Sequence, residues 1–141
     1  MSVPSSDPND LIAKAEAALA ALSDQFGTWL NTELDRLDKA RAQLGSEFGN
    51  SQAIEALHNC AHDLKGLGTT FAFPTVSRLA ASLCRLLASH PKDQEASLAL
   101  IDAHITTMRA LVASDARDDQ IEPAIGTIHD LERRVEQATV F

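Results

Sequence analysis

The sequence predicts an all-α chain: an antiparallel four-helix bundle with an additional long N-terminal helix. Three observations predict it. Apolar residues recur at three- and four-residue spacing along most of the chain. Tyr is absent, Trp occurs once and Phe five times, so the β-branched and aromatic runs that favour strands are scarce beside Ala and Leu. Short polar joints separate long amphipathic segments, which argues an up-down bundle.

Residues 1–6 read as a flexible leader. Asp7-Pro8 opens a long helical segment over 7–50, with Asp7 as cap and Pro8 in the first turn. Leu11, Ala15, Leu19, Leu22, Phe26, Leu30, Leu34, Leu37 and Leu44 keep its period, as one helix or as two with a kink at Ser23-Asp24 and Gly27. This segment is expected to pack on a four-helix bundle formed by residues 51–141. Ser51 is expected to cap the next helix, whose buried stripe is Ile54, Leu57, Ala61, Leu64, Gly68 and Phe71. Pro74 opens a third helix, with Val76, Leu79, Leu83, Leu86 and Leu87 inward, and His90-Pro91 stops it. A fourth runs from about Lys92 to Ser114 on Leu98, Ile101, Ile105, Met108 and Val112. Asp115–Asp119 is a solvated charged turn, and Asp119 is expected to cap a last helix whose inward residues are Ile121, Ile125, Ile128, Leu131 and Val135.

The 141 residues fit one domain. A net charge of −8 repels phosphate backbones, which argues against nucleic acid as a partner. It leaves room for a local basic site that takes one phosphoryl group. Cys60 and Cys84 make no disulfide framework. The opening MSVPSSDPND lacks the pattern of a signal peptide, and no apolar run reads as the roughly 18 residues of a membrane span. A cytoplasmic protein with reduced thiols and no membrane association is expected.

The stretch AHDLKGLGTTFAFP over 61–74 carries the chemistry. It sets two glycines inside a helical pattern, each costing roughly 1 kcal/mol relative to alanine. On a helical wheel the buried stripe centres near Ala61, Leu64 and Gly68, and His62 lies roughly 130° away, facing solvent. Glu55, Gly66 and Thr69 share its side, with Lys65 and His58 on the shoulder. Gly66 stands one turn above His62 and bares the surface beside the imidazole. Gly68, on the inner stripe, lets a neighbouring helix approach. Neutral imidazole is a good nucleophile near its ordinary pKa of about 6.5. A lysine one turn away offers positive charge to phosphoryl oxygens.

His62-Asp63-Leu64-Lys65-Gly66 resembles the H-x-L-K-G signature of histidine-containing phosphotransfer (HPt) domains. The continuation through Pro74 and Ser82-Leu83-Cys84-Arg85 is similar to small stand-alone members. The resemblance implies a bundle with an exposed histidine that passes phosphoryl groups between receiver-domain aspartates in a two-component phosphorelay. His62 is then the phosphoacceptor and Lys65 the charge partner, while Gly66 and Thr69 give the partner access. Cys84 stands where many members place a glutamine, and with His58 it is a supporting position. The implied partners are response-regulator receivers and a hybrid histidine kinase. The chain itself is expected to be a monomer that holds no cofactor, with Mg²⁺ on the receiver and no autonomous kinase activity.

Bland readings stand beside these. His58 and His62 have a chelating spacing, but without a third ligand no metal site is expected. His90, His104 and His129 read as surface or boundary histidines, and Phe26 and Trp29 as packing. The rival functions are a dimeric histidine-kinase-like phosphoacceptor bundle without an ATPase domain, and a non-catalytic helical adaptor.

Overall fold

The computed structural model describes residues 7–46, 50–89 and 93–139. The expected leader and the His90-Pro91 stop lie outside them. Among the described residues there are five helices and no strand: α1 Pro8–Leu44, α2 Ser51–Thr70, α3 Pro74–Ala88, α4 Gln94–Ala113 and α5 Ala124–Thr139. The predicted fold class therefore holds.

The helix starts follow capping chemistry. Asp7 accepts a hydrogen bond from the Asn9 amide at 3.0 Å, with Pro8 in the first turn. Asn50, rather than Ser51, caps α2 by accepting from the Ala53 amide at 3.1 Å. Asp93 does the same for α4 through Ala96 at 3.1 Å. Of the two alternatives for the N-terminal segment the single helix holds: α1 runs unbroken through Ser23-Asp24 and Gly27 for 37 residues. The Ser23 hydroxyl is taken by Arg117 at 2.5 Å and does not compete for its own helix backbone. A Cβ on Gly27 would meet Val112 at 3.9 Å, so this glycine sits where α1 meets α4.

The bundle is assembled differently from the expectation. Among the described residues α1 touches α2 and α4, α3 touches α2, α4 and α5, and α5 touches α3 and α4. The closed ring is thus α1 to α4, and α5 covers the outside of the α3–α4 edge. The second half of α1 is a bundle helix, with Leu30, Leu34, Leu37, Ala40 and Leu44 buried. The part up to Leu22 is not packed on the bundle: Leu11, Ile12, Leu19 and Leu22 are 55%, 55%, 66% and 45% exposed. Periodicity shows which face is apolar but not whether anything covers it.

Outside the core, Arg41 reaches Asp102 at 2.7 Å, and Arg109 pairs with both Asp35 and Asp38. These pairs join α1 to α4 in antiparallel order. By length and composition α4 would also pass as a membrane span, against the sequence reading. Its Leu98, Ile101, Ile105 and Met108 are spent on this bundle.

Three further expectations are corrected. His104 is fully buried rather than at the boundary. Its Nδ1 donates to the Leu100 carbonyl at 2.7 Å, and Ser82 Oγ donates to its Nε2 at 2.9 Å, so both ring nitrogens are satisfied inside the fold. The turn at 115–119 is not merely solvated. The Arg117 guanidinium donates to the carbonyls of Phe71 and Ala72 at 3.2 Å and to Ser23, and lies 4.1 Å from the centre of the Phe73 ring. Asp119 pairs with Arg78 at 3.5 Å instead of capping. The last helix starts at Ala124, which leaves Ile121 59% exposed.

Candidate functional site

The turn between α2 and α3 builds the platform under His62. Helix α2 ends with the Phe73 amide donating to the Gly68 carbonyl at 2.7 Å and the Ala72 amide to Thr69 at 3.2 Å. Ala72 is in the left-handed region, at φ 59°. This is a Schellman-type stop, and Pro74 can then open α3 without an amide to lose. The reversal brings Ser77 against Gly68. A Cβ on Gly68 would collide with Ser77 Oγ and lie 2.7 Å from the Ser77 backbone nitrogen. Ser77 Oγ donates to the Lys65 carbonyl at 2.7 Å and is 3.1 Å from Thr69 Oγ1. The two helices are pinned together directly beneath the residues that face solvent.

On that surface the predicted residues come together as the wheel placed them. His62, Lys65, Gly66 and Thr69 are exposed. A Cβ on Gly66 would meet nothing within 4 Å, so the space above the imidazole is open. Shallow depressions flank His62 on both sides. One is lined by Lys65, Gly66, Thr69, Pro74 and Ser77, the other by Glu33, Arg36, Asp63 and Leu67. Both include His62 and Gly66, which form the ridge between them.

The supporting positions are less central. Cys84 on α3 is half-buried. Burial pushes its thiol up, and the nearby Lys65 ammonium pulls partly back. It is therefore a protonated thiol at neutral pH, a weaker hydrogen-bonding group than an amide. His58 is half-buried one turn before His62. Burial also raises the Cys60 thiol, against a lowering by Arg36. Among the described residues no three His, Cys, Asp or Glu side chains gather as metal ligands.

Two neighbours escaped the sequence reading. Arg36 and Glu33, paired at 2.8 Å, edge the site from α1, because α1 and not α5 is the helix beside α2. The period of Leu30, Leu34 and Leu37 could have placed both at the margin of the buried face. Ser77 carried no signal of its own; its position follows from Gly68, whose missing side chain requires a close neighbour.

A family model for the Hpt domain matches residues 11–137. The chain belongs to the Hpt domain family, whose helical-bundle members act in two-component phosphotransfer with receiver domains and histidine kinases. Searches of curated proteins and of solved structures return no match.

Proposed function

We propose that this protein relays a phosphoryl group between receiver-domain aspartates in a cytoplasmic phosphorelay, with His62 as the carrier. The observation that carries the reading is the open ridge of α2, where an exposed imidazole stands beside an unobstructed glycine and one turn from a lysine.

A ring nitrogen of neutral His62 attacks the phosphorus of a receiver's aspartyl phosphate. The N–P bond forms as the acyl P–O bond breaks, and the aspartate leaves as carboxylate. The product is a phosphoramidate, and the reverse sequence on a second receiver returns the imidazole. The Lys65 ammonium approaches the equatorial oxygens and stabilises the charge spread over them. Gly66 and Thr69 leave room for the receiver's loops. The receiver brings Mg²⁺ to the complex, so the chemistry needed on this side is a nucleophile, a positive charge and a landing surface.

The test is transfer from a phosphorylated receiver. Label should appear on the wild-type chain as acid-labile, base-stable phosphate, and His62→Gln should abolish it while retaining helicity and melting temperature. Full labelling of His62→Gln would overturn the assignment. Lys65→Ala should slow transfer about tenfold to a hundredfold, because a charge-assisted contact contributes roughly 1.5–3 kcal/mol. Its melting temperature should stay near wild type, since Lys65 is exposed.

A further inference from the structure

Two arginines stand beside the His62 ridge, one on each side, and their surroundings differ. Arg78, on the α3 side, is fully engaged. It donates to Glu132 at 2.7 and 3.2 Å and to the Asp119 carbonyl at 3.4 Å, and it pairs with the Asp119 carboxylate at 3.5 Å. Turning it toward a phosphoryl group would break two ion pairs. Arg36, on the α1 side, is held by a single contact among the described residues, from Nη1 to Glu33 at 2.8 Å. Its Nε and Nη2 donate to nothing among those residues, and its side chain is 56% exposed. Its backbone does not share that freedom, because Leu34 and Leu37 on either side are fully buried. The result is a mobile guanidinium on a fixed base, at the edge of a depression that also holds the imidazole.

Charge gives this guanidinium a task. Glu33 and Asp63 line the same depression, where Arg36 is the one lysine or arginine among the lining residues. Beyond burial, which raises it most, the Cys60 thiol feels the same three charges: Arg36 lowers it, while Asp63 and Glu33 raise it. A phosphoryl group on His62 brings a further charge of about −1.5 to −2 to this place. With more charge and three acceptor oxygens, it competes well against one carboxylate for a planar fork of N–H donors. We propose that Arg36 is a second phosphoryl-holding residue: once His62 is phosphorylated it leaves Glu33 for the phosphoryl oxygens and slows loss of the group to water. This rests on the reading of His62 as the carrier. In that loss the ring nitrogen bearing phosphorus takes up a proton. Water's oxygen then bonds to phosphorus and releases a proton, and the N–P electron pair returns to the ring. The products are inorganic phosphate and free imidazole. A guanidinium beside the ring opposes the added proton by like charge, and a phosphoryl dianion already matched by it draws that proton less. Lys65 thus serves transfer, and Arg36 serves storage between one receiver and the next.

Potassium phosphoramidate, a small N–P donor, phosphorylates histidine without a receiver, so the lifetimes below decide on Arg36 even where the relay reading fails. The full chain is labelled with it, freed of the donor and followed by phosphorus NMR at neutral pH. The His62 signal is the one absent from His62→Gln. Arg36→Ala should lose that signal about fivefold faster than wild type, the upper end for an exposed ion pair. Arg36→Lys should fall between the two, because it keeps the charge without the fork. Glu33→Gln should slow the loss, since it frees Arg36 and removes a repelling charge. Helicity and melting temperature should stay near wild type in all three, as for most exposed substitutions. Opposite signs at positions 33 and 36 distinguish this role from a merely structural ion pair, whose two breakages would act alike. A loss from Arg36→Ala at the wild-type rate, or a faster loss from Glu33→Gln, would overturn the proposal.

Discussion

Two glycines two residues apart have opposite surroundings. Gly66 faces open space, and Gly68 is wedged against Ser77 and the Phe73 carbonyl. Gly66→Ala should therefore raise stability by about 0.5–1 kcal/mol, the ordinary helix preference for alanine. Gly68→Ala should lower it, because the Ser77 backbone must move and the Ser77–Lys65 bond loosens; overpacking of this kind typically costs about 1–3 kcal/mol. Paired thermal melts decide both signs at once. The wheel already distinguished these positions, because inward and outward are legible at 100° per residue. His104 was not legible. Nothing in its neighbours announced that Ser82, 22 residues earlier, would meet its second nitrogen. Burial pushes the His104 pKa below its ordinary 6.5, against smaller raising effects from its hydrogen bond to the Leu100 carbonyl and from Glu132. The folded chain therefore resists a proton that the unfolded chain accepts. The unfolded state binds more protons as pH falls, so stability is full above pH 6.5 and declines below it, toward the depressed folded value. Melting temperatures followed from pH 8 downward should fall from about pH 6.5, and His104→Gln should flatten that limb.

At the scale of elements, the α2–α3 turn sets where the site can be. Its stop forces Ala72, a residue with a side chain, into the left-handed region at φ 59°, where an L-residue is disfavoured by roughly 1–2 kcal/mol. Ala72 is exposed and has no packing to lose. Ala72→Gly should thus stabilise the fold by about 1 kcal/mol, measured by denaturant midpoint, and leave receiver-to-His62 transfer unchanged. The sequence announced this turn through Pro74 but disguised its geometry, since Gly is the usual residue at such a stop. The same disguise operated in the α4–α5 connection, at the same end of the bundle. The charged run at 115–119 looked like solvent, yet Arg117 bridges α1, the α2–α3 turn and its own loop. A run of charges reads as a surface unless something shows that one guanidinium has backbone carbonyls to meet.

At the scale of the molecule, helix number, order and apolar faces were legible because each rests on local periodicity. The choice of which four helices close the ring was not. Leu30 and Ile128 carry the same signal of a buried position, and only long-range pairing makes α1 part of the ring and α5 its cover. The site was legible because His62, Lys65 and Gly66 lie within two turns of one helix. Its α1 border, Glu33 and Arg36, depended on that same pairing. The anchorage of α1 at Ser23 also divides one continuous helix into two thermodynamic regimes. Backbone amides C-terminal to Gly27 sit in the cooperative unit, so they open only with most of the bundle. Those between Leu11 and Leu22 are held by local helical bonds alone and need no more than fraying to open. Hydrogen exchange should therefore show a step in protection within α1, fast up to Leu22 and slow from about Leu30. A uniform profile along α1 would mean that its free half is held by contacts other than those described. The step gives a residue-by-residue reading of how far the bundle's cooperativity extends along a helix that does not itself break.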